Sequence, residues 1–191
     1  MKSPADRPKF TFAQVRSVLA ETIGVDHAKM KTFEARLQQL QKLGLPTGTN
    51  VGRSGRAQYS YPQVAEILFY LDLLDSGATP ALLQVHFATS PLYSTHPGHF
   101  VEDASNGEYR VAVRFNALGH LRNAEPGRAK ATVFDLVIRG GSRADFLDLV
   151  DEQPSIVINL TRRIASLKSA VANLVPSYAG AKIFPGKPGS L

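Results

Sequence analysis

Two helix-start signals of the same kind place the first boundaries in this 191-residue chain. Thr11 is followed three residues later by Gln14, and Ser60 by Gln63, which is the spacing of a capping box. Apolar residues then recur at helical spacing after each box, and a glycine ends each run. After the first box they are Val15, Val18, Leu19 and Ile23, followed by Gly24. After the second they are Val64, Ile67, Leu68, Leu71 and Leu74, followed by Gly77. The pattern predicts one helix over about 12–23 and a later one that begins after Ser60 and ends at Gly77.

A further helix is predicted between these two. Asp26 can cap it, Gly44 and Pro46 end it, and one apolar stripe runs along it, formed by Met30, Phe33, Leu37 and Leu40. The Thr-Pro pair at 79–80 opens a fourth helix that continues to about Phe87. The first two helices are joined by a short turn, and such a pair is typical of a helix-turn-helix.

The segment "NVGRSGRAQYSYP", residues 50–62, connects the second and third helices. Gly52 and Gly55 can supply the positive-φ geometry of a tight turn. Arg53 and Arg56 then lie at its tip, and "AQYSY" can return as a short strand. Such a hairpin would be the wing of a winged helix, and the alternative is a solvated surface loop.

The face of the second helix opposite its apolar stripe contains no acid. At about 100° per residue, this face consists of Lys31, Thr32, Ala35, Gln38, Gln39 and Lys42, with Glu34 and Arg36 at its flanks. Small Ala35 would let the helix approach a groove closely, while amide and hydroxyl groups can bond base edges and lysines can reach phosphates. The candidate DNA-contact residues are Lys29, Lys31, Thr32, Ala35, Arg36, Gln38, Gln39, Lys42, Arg53, Arg56 and Tyr59.

The positive charge of the chain is concentrated near its N-terminus. Residues 1–60 hold 10 Lys and Arg against 4 Asp and Glu, whereas residues 61–191 hold 12 of each kind. A basic part joined to a neutral part is typical of a polyanion-binding module with an attached assembly or sensing module, because phosphate neutralisation drives nucleic-acid affinity. A merely soluble basic surface is the alternative.

The chain has no cysteine, which excludes disulfide frameworks, thiolate zinc sites and cysteine nucleophiles. Neither an export signal nor a membrane-spanning run is visible, since the most apolar window, "VAEILFYLDLL", carries acids. A cytoplasmic protein without a membrane partner is therefore expected.

Residues 11–87 resemble the MerR-like winged helix-turn-helix family through "LQKLGLP", "GRSGRAQYS" and "YPQVAEILFYLDLLDSGATPALLQ". The resemblance implies that the second helix enters the major groove through Lys31 to Gln39, and that Arg53 and Arg56 contact the backbone beside it. The broader group includes excisionases and small terminase subunits. A phage-type DNA packaging or recombination accessory protein is accordingly the alternative to a transcriptional regulator.

The C-terminal half predicts a small antiparallel sheet with helices. "YRVAVRFNAL" and "KATVFDLVI" read as paired strands, "SIVI" as a third strand, and "RADFLDLVDE" as a short helix. The predicted organisation is an α+β chain with a basic tail (1–10), a winged helix-turn-helix domain (11–88), a linker (89–107), an α+β dimerisation or sensing domain (108–175) and a flexible tail (176–191).

A last apolar stripe begins after Asn159 and has spacings of four, three, four and three residues, formed by Leu160, Ile164, Leu167, Val171 and Leu174. As a coiled-coil seam it would hold two copies together, and a homodimer would double the contacts to a palindromic site. The alternative is an intramolecular helix that lies on the sheet and needs no partner.

Catalytic signatures are missing from the sequence: it holds no Walker or dinucleotide glycine loop and no nucleophile elbow. His96 and His99, with Glu102, Asp103 and His120, offer imidazole and carboxylate groups to a metal, so a metal hydrolase stays as a third hypothesis. The leading expectation is a non-enzymatic, sequence-specific DNA-binding transcriptional regulator that binds double-stranded DNA as a homodimer, without cofactor or metal.

Overall fold

The computed structural model describes residues 9–47, 49, 57–88, 109–115, 134–140 and 156–176. Its elements in chain order are β1 (Phe10–Thr11), α1 (Phe12–Ile23), α2 (Met30–Lys42), β2 (Gln58–Tyr59), α3 (Tyr61–Asp75), α4 (Pro80–Leu83), β3 (Tyr109–Phe115), β4 (Phe134–Gly140), β5 (Ile156–Asn159) and α5 (Leu160–Leu174). A 3-10 turn precedes α2, and a π-helical turn follows α4. The chain is thus a mixed fold of helices with small antiparallel sheets.

Side-chain caps set the starts of α1 and α3, as the sequence predicts. The Oγ1 atom of Thr11 accepts from the backbone N–H of Gln14 at 3.3 Å, and Gln14 Oε1 accepts from the N–H of Thr11 at 2.8 Å. Ser60 and Gln63 form the same reciprocal pair at the start of α3. Gly24 ends α1 with φ of 77°, a left-handed conformation that glycine adopts without steric cost.

Helix α3 is the centre of the core. Every residue from Val64 to Leu73 is buried, which is what a helix with apolar residues on all sides requires. The rings of Phe69 and Tyr70 both pack against Phe87, with centroids 6.0 and 5.0 Å apart. The segment predicted as the fourth helix therefore packs against α3 through Phe87, near its predicted end.

Two antiparallel sheets are present in the described residues. In the smaller, β1 pairs with β2, so that Phe10 faces Tyr59. In the larger, β3 lies between β4 and β5, and Val111 pairs with Ile138 on one side and with Ile158 on the other. The three strands predicted in the C-terminal half are confirmed.

Helix α5 joins the two halves of the chain. It packs against α1 and α3 and also contacts β3, so the sheet and the N-terminal helices share one hydrophobic core. That core runs from Phe10, at the end of the segment predicted as a tail, to Val175. Among the described residues, the segments before and after the predicted linker therefore pack against each other.

The predicted dimer stripe on α5 is corrected by this packing. Its first four members, Leu160, Ile164, Leu167 and Val171, are at most 4% exposed within a single chain, while Leu174 is 45% exposed. Side chains already buried in their own core do not form a seam for a second copy. The intramolecular alternative describes this helix, with α1 as its main neighbour in addition to the sheet.

Three other sequence predictions lie outside the described residues: the linker 89–107, the helix "RADFLDLVDE" and the tail beyond Pro176. None of the helices in the described ranges has the length and apolar character needed to cross a membrane.

Two acids lie inside α3, and each is bonded to a neighbour. Glu66 is 6% exposed and accepts a hydrogen bond from the Tyr70 hydroxyl one turn later. Asp72 accepts from the Nε and Nη2 atoms of Arg163 on α5, with Nε 2.9 Å from Oδ2. Burial raises the pKa of Glu66 to about 7, and the hydrogen bond from Tyr70 opposes that rise.

Glu66→Gln should remove a pH dependence of stability. Because the pKa of Glu66 is about 7 in the folded chain and 4.5 in the reference state, the folded protein holds this proton between those pH values and the unfolded chain releases it. Stability therefore falls as pH rises from about 4.5 to 7, by up to roughly 3 kcal/mol. Urea unfolding of wild type and variant across this range measures the difference, and we expect a flatter profile for the variant.

Glu21→Gln is the matched control, since it neutralises an exposed carboxylate on α1. It should keep the wild-type slope. Equal slopes for Glu66→Gln and wild type would contradict the assignment of this titration to Glu66.

Candidate nucleic-acid interface

The buried side of α2 fixes its rotation. Leu37 and Leu40 are buried in the core, and Phe33 packs against it, as the apolar stripe predicts. After the helix, Leu45 is buried as well, and its N–H donates to the carbonyl of Leu40 at 3.0 Å. The opposite side of α2 is thereby turned to solvent.

An ion pair fixes α2 to α1. Arg16 Nη1 lies 2.6 Å from Glu34 Oε2, and both side chains are about one third exposed. Glu34 is the only acid in α2, at the flank of the solvent face. Since its charge is paired with Arg16, the helix carries no unpaired carboxylate next to its lysines.

A second hydrogen bond fixes the C-terminal end of α2 to β2. Gln41 Nε2 donates to the Tyr59 hydroxyl at 2.6 Å. In addition, Gln63 Nε2 of α3 donates to the carbonyl of Thr47 at 3.2 Å, which holds the chain that follows α2. The helix is thus held along its length by α1, by β2 and by the core.

The candidate residues on α2 and in the turn before it are all exposed. This set comprises Lys29, Lys31, Thr32, Ala35, Arg36, Gln38, Gln39 and Lys42. The exposure leaves these side chains accessible to a ligand. Their contact with DNA remains a prediction.

These exposed candidate residues fall into two groups. By helical angle, Lys31, Ala35, Gln38, Gln39 and Lys42 point away from the buried side. We call these five the outward face. Lys29, Thr32 and Arg36 instead line a cleft beside the C-terminal half of α3. The structure therefore separates residues that the sequence pattern placed in one set.

Tyr59 does not belong to the exposed surface. It is 1% exposed, pairs with Phe10 across the small sheet, and accepts the hydrogen bond from Gln41. Burial also raises the pKa of its hydroxyl. The prediction that Tyr59 contacts DNA is corrected, because its side chain supports α2 from within.

Arg53 and Arg56 lie outside the described residues, as does the first arm of the predicted hairpin. The return strand is present, since Gln58–Tyr59 forms β2. Its partner among the described residues is β1 at the N-terminal end of the fold. The identity of residues 50–62 as a wing remains a prediction.

The contacts that join distant elements could not be predicted from the sequence. Arg16 and Glu34 are 18 residues apart, and Asp72 and Arg163 are 91 apart, so neither pair has a local spacing signal. Asp72 did carry one indication, because an acid inside an otherwise apolar helix requires a partner when buried. The identity of that partner could not be read from the sequence.

The metal hypothesis falls on residues that the structure does not describe. His96, His99, Glu102, Asp103 and His120 all lie in the undescribed ranges. Within the described ranges, no three His, Asp or Glu side chains are grouped so that they could hold a metal ion.

Comparison with known proteins yields no match to a protein-family model and no similar sequence among curated proteins.

The bond between Gln41 and Tyr59 can be tested with a double-mutant cycle. Tyr59→Phe and Gln41→Met each remove one partner, and we expect each to lower the free energy of unfolding, since the remaining polar group loses its partner. The double variant should lose less than the sum of the two, with a coupling of about 1 kcal/mol. Urea denaturation measures all four proteins, and strictly additive losses would show that the bond does not couple α2 to β2.

Proposed function

We propose that this protein binds double-stranded DNA with the outward face of α2, as a winged helix-turn-helix protein that regulates transcription. The observation that carries the proposal is an exposed, acid-free face on a helix held at three places. A rigid helix can present donors at fixed positions, which base readout requires.

The dimensions of α2 suit the major groove. Its 13 residues span about 20 Å at a rise of 1.5 Å per residue, and the groove is about 12 Å wide. Ala35 lies at the centre of the outward face, where a small side chain permits close approach. Gln39 can donate to and accept from a base edge, while Lys31 and Lys42 reach phosphates from the two ends.

Charge supports the same assignment. The pairing of Glu34 with Arg16 leaves Lys31 and Lys42 without an opposing carboxylate on the outward face. The flanking segment 50–62 adds Arg53 and Arg56 directly before β2. Both features favour a polyanionic partner.

Dimer formation stays part of the proposal, although its surface is not the α5 stripe. Two copies would double the contacts to a palindromic site. A solution mass measurement separates the monomer and the dimer from the larger ring that a packaging subunit would form.

Lys31→Gln combined with Lys42→Gln should weaken duplex binding and reduce its salt dependence. Each phosphate contact contributes about 0.9 to the slope of log K against log salt, so the slope should fall by up to about two. Fluorescence anisotropy with a labelled duplex at several salt concentrations measures both quantities.

The matched control is Arg162→Gln combined with Lys168→Gln, which removes two exposed cations from α5. It changes the net charge equally and should leave the slope nearly unchanged. Equal effects of the two double variants would reject the outward face as the contact surface. Arg53→Ala with Arg56→Ala, measured in the same way, tests the wing: an unchanged slope would remove those arginines from the interface.

A further inference from the structure

A cleft of about 520 Å³ lies between the N-terminal half of α2 and the C-terminal half of α3. Arg163 of α5 also lines it. The volume falls within the range of about 300–1,000 Å³ that is typical of small-molecule sites. This cleft is separate from the outward face, although both involve α2.

The floor of the cleft is apolar. Phe33 and Leu74 are half-buried side chains that pack against the core, and Leu71 is buried beside them. A ligand with an aromatic or branched apolar body would cover the surface that these side chains leave in contact with water, and its own apolar surface would be removed from water too.

Two cations line the same cleft. Lys29 and Arg36 both line the cleft and are exposed, and neither has a carboxylate partner among the described residues. The third cation, Arg163, is already bonded to both oxygens of Asp72. The charge available to a ligand is therefore that of Lys29 and Arg36.

A carboxylate in the lining limits how much negative charge a ligand can carry. Asp75 is exposed and lines the same cleft, so it would repel a ligand with several negative groups. A single carboxylate can instead bond to the guanidinium of Arg36 through two parallel hydrogen bonds, with Lys29 as a second donor. The Thr32 hydroxyl, which also lines the cleft, offers one more hydrogen bond.

We propose that the cleft between α2 and α3 binds a small monocarboxylate with an aromatic or branched apolar body, held by Arg36 and Lys29 over Phe33, Leu71 and Leu74. The occupant would also contact the flank of the helix to which we assign DNA binding. Any effect on DNA affinity rests on the proposed function, whereas the binding of the carboxylate does not.

Calorimetric titration of the full chain without DNA tests the site with three probes of similar shape: 4-phenylbutyrate, 4-phenylbutylamine and 4-phenyl-1-butanol. We expect saturable binding of the carboxylate, at least about tenfold tighter than that of the amine or the alcohol. Arg36→Gln and Lys29→Gln should each weaken carboxylate binding by about tenfold, because each removes a charged donor.

Lys42→Gln is the matched control, since it removes one cation from the outward face of the same helix. It should leave carboxylate binding unchanged. The proposal is overturned by the absence of saturable binding, by equal binding of the amine, or by an equal loss in Lys42→Gln and Arg36→Gln. Duplex binding measured in parallel keeps the two proposals distinguishable, because carboxylate binding is scored without DNA.

Discussion

The packing of α5 across α1 and α3 holds the two halves of the chain together. It brings residues 160–174 onto a helix that begins at residue 12. The N-terminal helices and the C-terminal part of the chain therefore share one hydrophobic core. The closure of such a long loop costs little more entropy than that of a shorter one, because the cost grows only with the logarithm of length. The buried apolar side chains of α5 can offset that cost, and the bond between Arg163 and Asp72 fixes the register of α5 on α3.

The position of α2 follows from this core. Because α1 packs against α5 as well as α2, the pair formed by Arg16 and Glu34 connects α2 to a fixed neighbour. The bond from Gln41 to Tyr59 does the same at the other end through β2. One side of α2 is thus committed to packing, and the remaining surface divides into an outward face rich in lysine and glutamine and a cleft edge with Lys29 and Arg36. The two proposals for DNA and for a small carboxylate use these two surfaces separately.

The sequence predicted what local interactions determine. The starts of α1 and α3 depend on side chains three residues apart, and the end of α1 depends on one glycine, so both kinds of boundary were readable. The helical stripe on α5 was equally clear, but periodicity shows which face is apolar and not what covers it. A coiled-coil spacing over two heptads fits an intramolecular neighbour as well as a second copy, and here α1 is that neighbour. Tyr59 was misplaced for a related reason, since strand alternation does not show that its hydroxyl meets Gln41. The cleft was not predictable, because it forms between elements whose mutual position depends on contacts up to 91 residues apart.

The most direct test is to determine which surface of the protein a DNA duplex contacts. Two-dimensional NMR spectra of the isotopically labelled full chain can be compared with and without a short duplex at low salt. We expect the largest changes at Lys31, Ala35 and Gln39 on the outward face of α2. Changes confined to the exposed side of α5, around Arg162, Ala165 and Ser169, or no changes on any surface, would contradict DNA binding by the outward face.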